Sequence, residues 1–276
     1  MKIKQFPVNP YVNGRDFVVG DIHGCFDLLM SGLSAVDFNK TTDRLFSVGD
    51  MVDRGPKNME CLNLLYEPWF FAVQGNHEDL MIGALHKDGD RRMGDWWGPN
   101  GGNWNQPEDW YILEDLVNMA KELPLLITVE LPDNKRFHLV HAELYSPNDM
   151  TDADLANPEK LETILEEQSM DGPSVIWGRA VFYDFYGIDL GDETLKRHRK
   201  HSRGRKAHTH LSNVYSGHTV LRNPLKIGPF INIDTGSFLS GRPRYNWAGI
   251  TITEPKTGRF WKTTDLLTKE IELIVL

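Results

Sequence analysis

Three short apolar runs in the first 80 residues each break off at a glycine and then deliver Asp or Asn, with His or a second acid close behind. They are Phe17-Val18-Val19-Gly20-Asp21-Ile22-His23-Gly24, Ser47-Val48-Gly49-Asp50-Met51-Val52-Asp53-Arg54-Gly55 and Phe71-Ala72-Val73-Gln74-Gly75-Asn76-His77-Glu78. An apolar strand that ends in Gly-Asp puts a hard oxygen ligand at its carboxyl end, where open α/β sheets place their sites. One such Gly-Asp is ordinarily a turn. Three with the same grammar are hard to read as unrelated turns. The strand-end glycines at 20, 49 and 75 have about the spacing of βαβ units, roughly 30 residues each. Parallel, right-handed crossovers are therefore expected.

The rest of the chain follows from periodicity and turn chemistry. Residues 1–15 read as an irregular lead-in with turn formers Pro7, Pro10 and Asn13-Gly14. Helices are expected over about 27–36, 58–66, 78–86, 108–122 and 158–168, where apolar residues recur at helical spacing. Residues 94–110 form a loop rich in Trp, Gly and Asn, and its Trp96, Trp97 and Trp104 are candidates to line a groove. Residues 125–131 and 136–141 read as a hairpin around Pro132-Asp133-Asn134. Its second strand again runs into a ligand, His141, and a later apolar stretch leads into His218. Residues 175–179 are a short apolar segment ending in Arg179, and the chain beyond 214 is β-rich.

Collected, the strand-end donors are Asp21, His23, Asp50, Asn76, His141 and His218. The set mixes carboxylate, amide oxygen and imidazole and contains no thiolate, which excludes a Cys-rich structural zinc site. Such donors, with one carboxylate able to bridge, suit a pair of Mn, Fe or Zn ions. The two cysteines, Cys25 and Cys61, read as small core residues of a protein in a reducing compartment. His138 has no supporting motif and reads as a packed or exposed histidine.

These blocks resemble the signatures of PPP-type serine/threonine phosphatases, members of the calcineurin-like metallophosphoesterase superfamily, and among them the bacteriophage lambda type. The likeness continues through Asn100-Gly101-Gly102, Glu122-Leu123-Pro124-Leu125, Val140-His141-Ala142, Val175-Ile176-Trp177, Gly217-His218-Thr219 and Ile233-Asp234-Thr235-Gly236, covering residues 16–240. The resemblance implies an α/β sandwich of two mixed β-sheets packed face to face and flanked by helices. It implies a first metal held by Asp21, His23 and Asp50, and a second by Asp50, Asn76, His141 and His218, with Asp50 bridging. Mn2+ is the expected ion, with Fe or Zn as alternatives. Two metals ~3.5–4 Å apart would hold a bridging hydroxide for in-line attack on phosphorus. His77 would protonate the leaving alkoxide, Asp53 would orient it, and Arg54 and Arg179 would clamp the phosphoryl oxygens.

The implied activity is hydrolysis of phosphoserine and phosphothreonine in proteins, with phosphotyrosine as an additional candidate substrate. A symmetrical dinucleoside polyphosphate hydrolase of the same superfamily is the nearest rival, and a non-catalytic binding module is the rival of another class. The chain of 276 residues is expected to form a single domain, 1–276, with a basic insertion at about 183–212. Within it, residues 196–206 carry seven Lys or Arg and no acid, leaving −16 on the rest of a chain whose net charge is −9. A solvated surface loop is the plainer reading of that run, and a docking patch for acidic or phosphorylated substrates the sharper one. Nucleic acid is not an expected partner, because the remaining charge repels polyanions. There is no apolar stretch of membrane-spanning length and no signal-peptide core, so a cytoplasmic location is expected.

Overall fold

The computed structural model describes residues 3–90, 92–104, 110–144, 149–167, 172–179, 181–182, 208 and 210–276. The three predicted strands are β2 (Asp16–Val19), β3 (Arg44–Ser47) and β4 (Phe70–Ala72), and they pair in parallel, β2 with β3 and β3 with β4. Alternation along these runs decides which face each side chain meets. Phe17, Val19, Leu45 and Phe70 turn outward to join a helical core cluster. Val18, Phe46 and Val48 turn the other way. At the amino-terminal end of the pair, Asp16 lies opposite Arg44, and its carboxylate accepts from Arg44 Nε and Nη2 at 2.7 and 2.9 Å.

The six-stranded sheet is completed by β10 (Ile250–Glu254), β11 (Arg259–Thr264) and β12 (Leu267–Ile271), in the order β12-β11-β10-β2-β3-β4. A seven-stranded sheet contains β1 (Ile3–Phe6), β5 (Leu126–Leu131), β6 (Lys135–Leu139), β7 (Val214–Ser216), β8 (Leu225–Ile227), β9 (Phe230–Asn232) and β13 (Ile274–Val275). Its order is β1-β5-β6-β7-β9-β8-β13, with parallel and antiparallel pairs mixed. One cluster joins the sheets face to face. Val18, Phe46 and Val48 from the first meet Ile127, Phe137, Leu139, Tyr215 and Ile231 from the second.

Helices close both outer faces. The six-stranded sheet is covered by α1 (Phe26–Ala35), α2 (Asn58–Asn63), α3 (Asn76–Leu85) and α5 (Trp110–Lys121), with α4 (Arg92–Trp97) beside α3. Short helices α6 (Asp152–Ala156), α7 (Pro158–Glu166) and α8 (Ser174–Trp177) pack on the other sheet through Leu155, Leu161, Val175 and Ile176. The α/β sandwich with helices on both faces is the expected fold.

Several local expectations change. Residues 3–6 are a strand, not an irregular lead-in, because β1 gains a parallel partner in β5, whose Leu126 pairs with Ile3, a partner far along the chain that local sequence does not announce. The apolar segment at 175–179, for which the sequence set no conformation, is helical through Trp177, with Pro173 as the N-cap of α8. The hairpin turns as expected, with Asp133 and Asn134 in the left-handed region at φ 62° and 57°. The basic run 196–206 and most of the expected insertion at 183–212 lie outside the described residues.

Candidate metal centre

The predicted donors come together where the carboxyl ends of both sheets meet. Asp21 and His23 follow β2, Asp50 follows β3, Asn76 opens α3, His141 follows β6 and His218 follows β7. All six are buried. Side-chain donor atoms of His23, Asp50 and His77 lie within 4.8 Å of one another, and so do those of Asp50, His141 and His218. Asp50 belongs to both groups. Its Oδ2 is 3.5 Å from His23 Nε2 and its Oδ1 3.4 Å from His141 Nε2. Asp21 is drawn into neither group; its carboxylate accepts the His218 backbone N–H at 3.0 Å.

Backbone carbonyls set the tautomers. His23 Nδ1 sits 2.9 Å from Val52 O and His141 Nδ1 sits 2.8 Å from Val48 O. Each Nδ1 can only donate there, so each Nε2 presents a lone pair to the centre. His141 Nε2 meets Asn76 Oδ1 at 2.9 Å, and His218 Nδ1 meets the same oxygen at 2.8 Å. A lone pair facing an amide oxygen at that distance is repulsive unless a cation sits among them. His218 Nε2 and Asp234 Oδ2 are buried with no hydrogen-bond partner. Burial, with Asp234 and Asp50 close by, pushes the Asp21 carboxyl well above its usual range. Burial likewise raises Asp234 to about 6. Burial, reinforced by Arg54, keeps His23 neutral, and His218 is lowered by burial and by His141. Neutral imidazoles and crowded, desolvated carboxylates are what a cation needs. The residues present fit a dinuclear divalent metal centre.

Beside this centre stands a buried acid–base pair. His77 Nδ1 is 2.6 Å from Asp53 Oδ2, and His77 Nε2 has no partner. The His77 backbone N–H donates to Asp50 Oδ1 at 2.9 Å, tying the pair to the shared carboxylate. Arg54 Nη1 approaches His23 Nε2 at 3.0 Å, and its guanidinium lies 4.5 Å above the Phe238 ring. Arg179 Nη1 donates to His218 O at 2.9 Å, which brings it to the same mouth. The backbone is held out of its preferred wells here: His23, Asp50, Asp53, Arg54 and His218 have φ of 47°, 50°, 73°, 69° and 65°. Left-handed non-glycine residues of this kind gather at functional sites.

Three contributors carried no assigned role at the site from the sequence. Glu78 is fully buried and accepts backbone N–H groups from Gly75 and Asp50 on Oε2 and from Met51 on Oε1, at 2.9, 2.8 and 2.8 Å. It thereby fixes the Asp50 loop against α3. Gly75 must lack a side chain, because a Cβ would strike the Asp50 carboxylate. Asp234 was noticed only as part of a motif. Trp97 and Trp104, expected to line a groove, instead point their indole N–H groups at Asp53. Trp96 is exposed, and His138 is packed, bonded to Thr128 and Asp152 and outside both donor groups.

Comparison with known proteins agrees with this geometry. Serine/threonine-protein phosphatase 2 of Salmonella typhimurium is 33% identical over 242 residues, 87% of this chain and 95% of that protein. A symmetrical bis(5'-nucleosyl)-tetraphosphatase of Actinobacillus pleuropneumoniae is 42% identical, but over 71 residues, 25% of this chain and 26% of that protein. A Saccharomyces cerevisiae protein serine/threonine phosphatase superposes with a TM-score of 0.52 at 17% identity, across 98% of this chain and 84% of the other, a likeness of fold. Residues 17–222, a span that holds every donor from Asp21 to His218, match the Calcineurin-like phosphoesterase family, and the chain belongs to it.

Proposed function

We propose that the protein is a metal-dependent phosphomonoesterase acting on phosphoserine and phosphothreonine in proteins. The observation that carries this reading is Asp50, one buried carboxylate shared between two donor groups, with the His77–Asp53 pair bonded to it through the His77 amide. Likeness to a serine/threonine phosphatase over 95% of that relative's length supports the substrate class. In this reading Asp21, His23 and Asp50 hold one ion and Asp50, Asn76, His141 and His218 the other, Mn2+ being the ion we favour. When bound, two divalent ions supply a nucleophile competent at neutral pH and positive charge for the phosphoryl oxygens.

The chain's own side chains account for the rest. Arg54 and Arg179 reach the mouth of the centre from different loops, and planar guanidinium forks suit phosphoryl oxygens better than lysine point charges. A serine alkoxide is a poor leaving group, so a proton donor matters. His77 Nδ1 faces Asp53, which leaves Nε2 to hold that proton and give it to the departing oxygen. We treat residues 1–276 as one domain with an insertion at about 183–212. We assign the activity to the cytoplasm, where the free thiols Cys25 and Cys61 stay reduced.

A second reading, hydrolysis of symmetrical dinucleoside polyphosphates, is supported by the 42% identity over 71 residues to a tetraphosphatase. Initial rates after chelation and Mn2+ reconstitution, on a phosphoserine peptide and on diadenosine tetraphosphate, separate the two. The expected result is strong preference for the peptide. Preference for the dinucleotide would transfer the site to nucleotide hydrolysis, and activity on neither with two ions bound would point to a binding module.

A further inference from the structure

The Asp53 carboxylate is fully buried, and side-chain donors converge on it from two directions. His77 Nδ1 lies 2.6 Å from Oδ2. Trp97 Nε1 lies 3.0 Å from each oxygen and Trp104 Nε1 donates to Oδ1 at 2.7 Å. An indole N–H only donates, carries no charge and does not titrate near neutral pH. It can satisfy a buried carboxylate without offering a second proton that would compete with the one on His77.

The loop is shaped to bring both indoles to one carboxylate. Gly101 N donates to Gly98 O and Gly102 N to Trp97 O, each at 3.0 Å, and Gly101 takes φ 104°. A Cβ on Gly102 would enter the Trp97 ring. The two rings then meet edge to face, with centroids 6.0 Å apart at 82°. Trp96, one residue earlier on α4, is 56% exposed, so adjacency in sequence does not explain the inward pair.

We propose that Trp97 and Trp104 are positioning residues for the leaving-group step, clamping Asp53 so that His77 Nε2 faces the departing oxygen. The inference rests on the reading of His77 as proton donor. Without the indoles the carboxylate keeps unsatisfied acceptor positions in a dry site, which it relieves by rotating or by admitting water. Either movement frees the His77 ring, and a misplacement of about 1 Å at a reacting group is enough to cost roughly 100-fold in rate.

Trp97→Phe and Trp104→Phe keep the rings and remove the N–H groups. Each is expected to lower kcat on a phosphoserine peptide by about 10-fold or more while leaving KM unchanged, because the affected group serves proton donation alone. With p-nitrophenyl phosphate, whose leaving group hardly needs a proton, the loss should stay within roughly threefold. Parallel losses on the two substrates overturn the clamp. His77→Asn keeps the two readings apart. If it loses rate selectively on the peptide while the Trp variants do not, the clamp alone is wrong; if it loses rate equally on both substrates, the proton-donor reading beneath it is wrong. Should the Phe variants fail to fold, the indole N–H resonances of the wild type and of Asp53→Asn test the contact directly. Two of the eight tryptophan side-chain signals should shift, and an unchanged set overturns the proposal.

Discussion

Asp50 concentrates the constraints on the site at one residue. It holds a left-handed φ of 50°, accepts the His77 amide on Oδ1 and offers an oxygen to each donor group. Removing one oxygen's charge while keeping its shape should therefore disable both groups at once. Asp50→Asn is expected to lower turnover by more than ~100-fold, since even outer partners of metal ligands are worth 10–100-fold, and to lower the bound metal from two ions per chain. Metal analysis alongside rates checks this; two tightly bound ions with near-normal turnover would contradict a shared ligand. The identity of these residues could be read from Gly-Asp and Gly-Asn-His blocks, because strand-end ligands leave a local trace. Their backbone strain could not. Asp53 and Arg54 at φ 73° and 69° run against local preference, and only loops pinned from several sides hold them there.

Among elements, the junction of β3 with α3 depends on Glu78, which accepts three backbone N–H groups across it. Burial, with the negative Asp50 next to it, pushes the Glu78 carboxyl up to about 8. Between its ordinary range and pH 8 the folded state thus retains a proton that the unfolded chain has given up. Raising the pH through this window favours the unfolded chain. The centre's histidines act oppositely, but their folded values lie below the ordinary one, so their effect is spent by about pH 7. Glu78 by itself should accordingly cost the metal-free protein about 1 kcal/mol between pH 7 and 8, visible as a fall of a few degrees in Tm. Glu78→Gln, which cannot titrate, should flatten that slope; an undiminished slope would assign it to another group. Glu78 sits right after His77 in a recognisable block, yet its role is invisible there, because its partners at Asp50 and Met51 are brought close only by the fold. The same holds for β1, whose four residues carry no strand signal until β5 lies beside them. Long, periodic elements such as α1 and α5, by contrast, were readable to within a few residues.

For the whole molecule, the informative point is where the donors originate. Asp21, His23, Asp50 and Asn76 follow the carboxyl ends of β2, β3 and β4 in the six-stranded sheet, whereas His141 and His218 come from the seven-stranded one. The sheets already share an apolar interface through Phe46, Phe137 and Tyr215. At their carboxyl ends, however, the contact is made of imidazoles, carboxylates and an amide that repel one another or stay unsatisfied without a cation. Chemistry that destabilises the metal-free fold therefore sits on the seam between the sheets, and bound ions convert it into a tie. Ligand held at about 100 times its Kd stabilises a fold by about 2.7 kcal/mol, which for a chain of this size corresponds to roughly 5 °C or more in Tm. Complete chelation should lower Tm by at least that amount, and excess Mn2+ should restore it. Because the sheets still share the apolar interface of Phe46, Phe137 and Tyr215, the metal-free protein should unfold in one cooperative transition at the lower temperature. A Tm indifferent to full removal of metal would mean that the ions hold only one sheet's loops, and the pairing of His141 and His218 with Asp50 would then need another explanation.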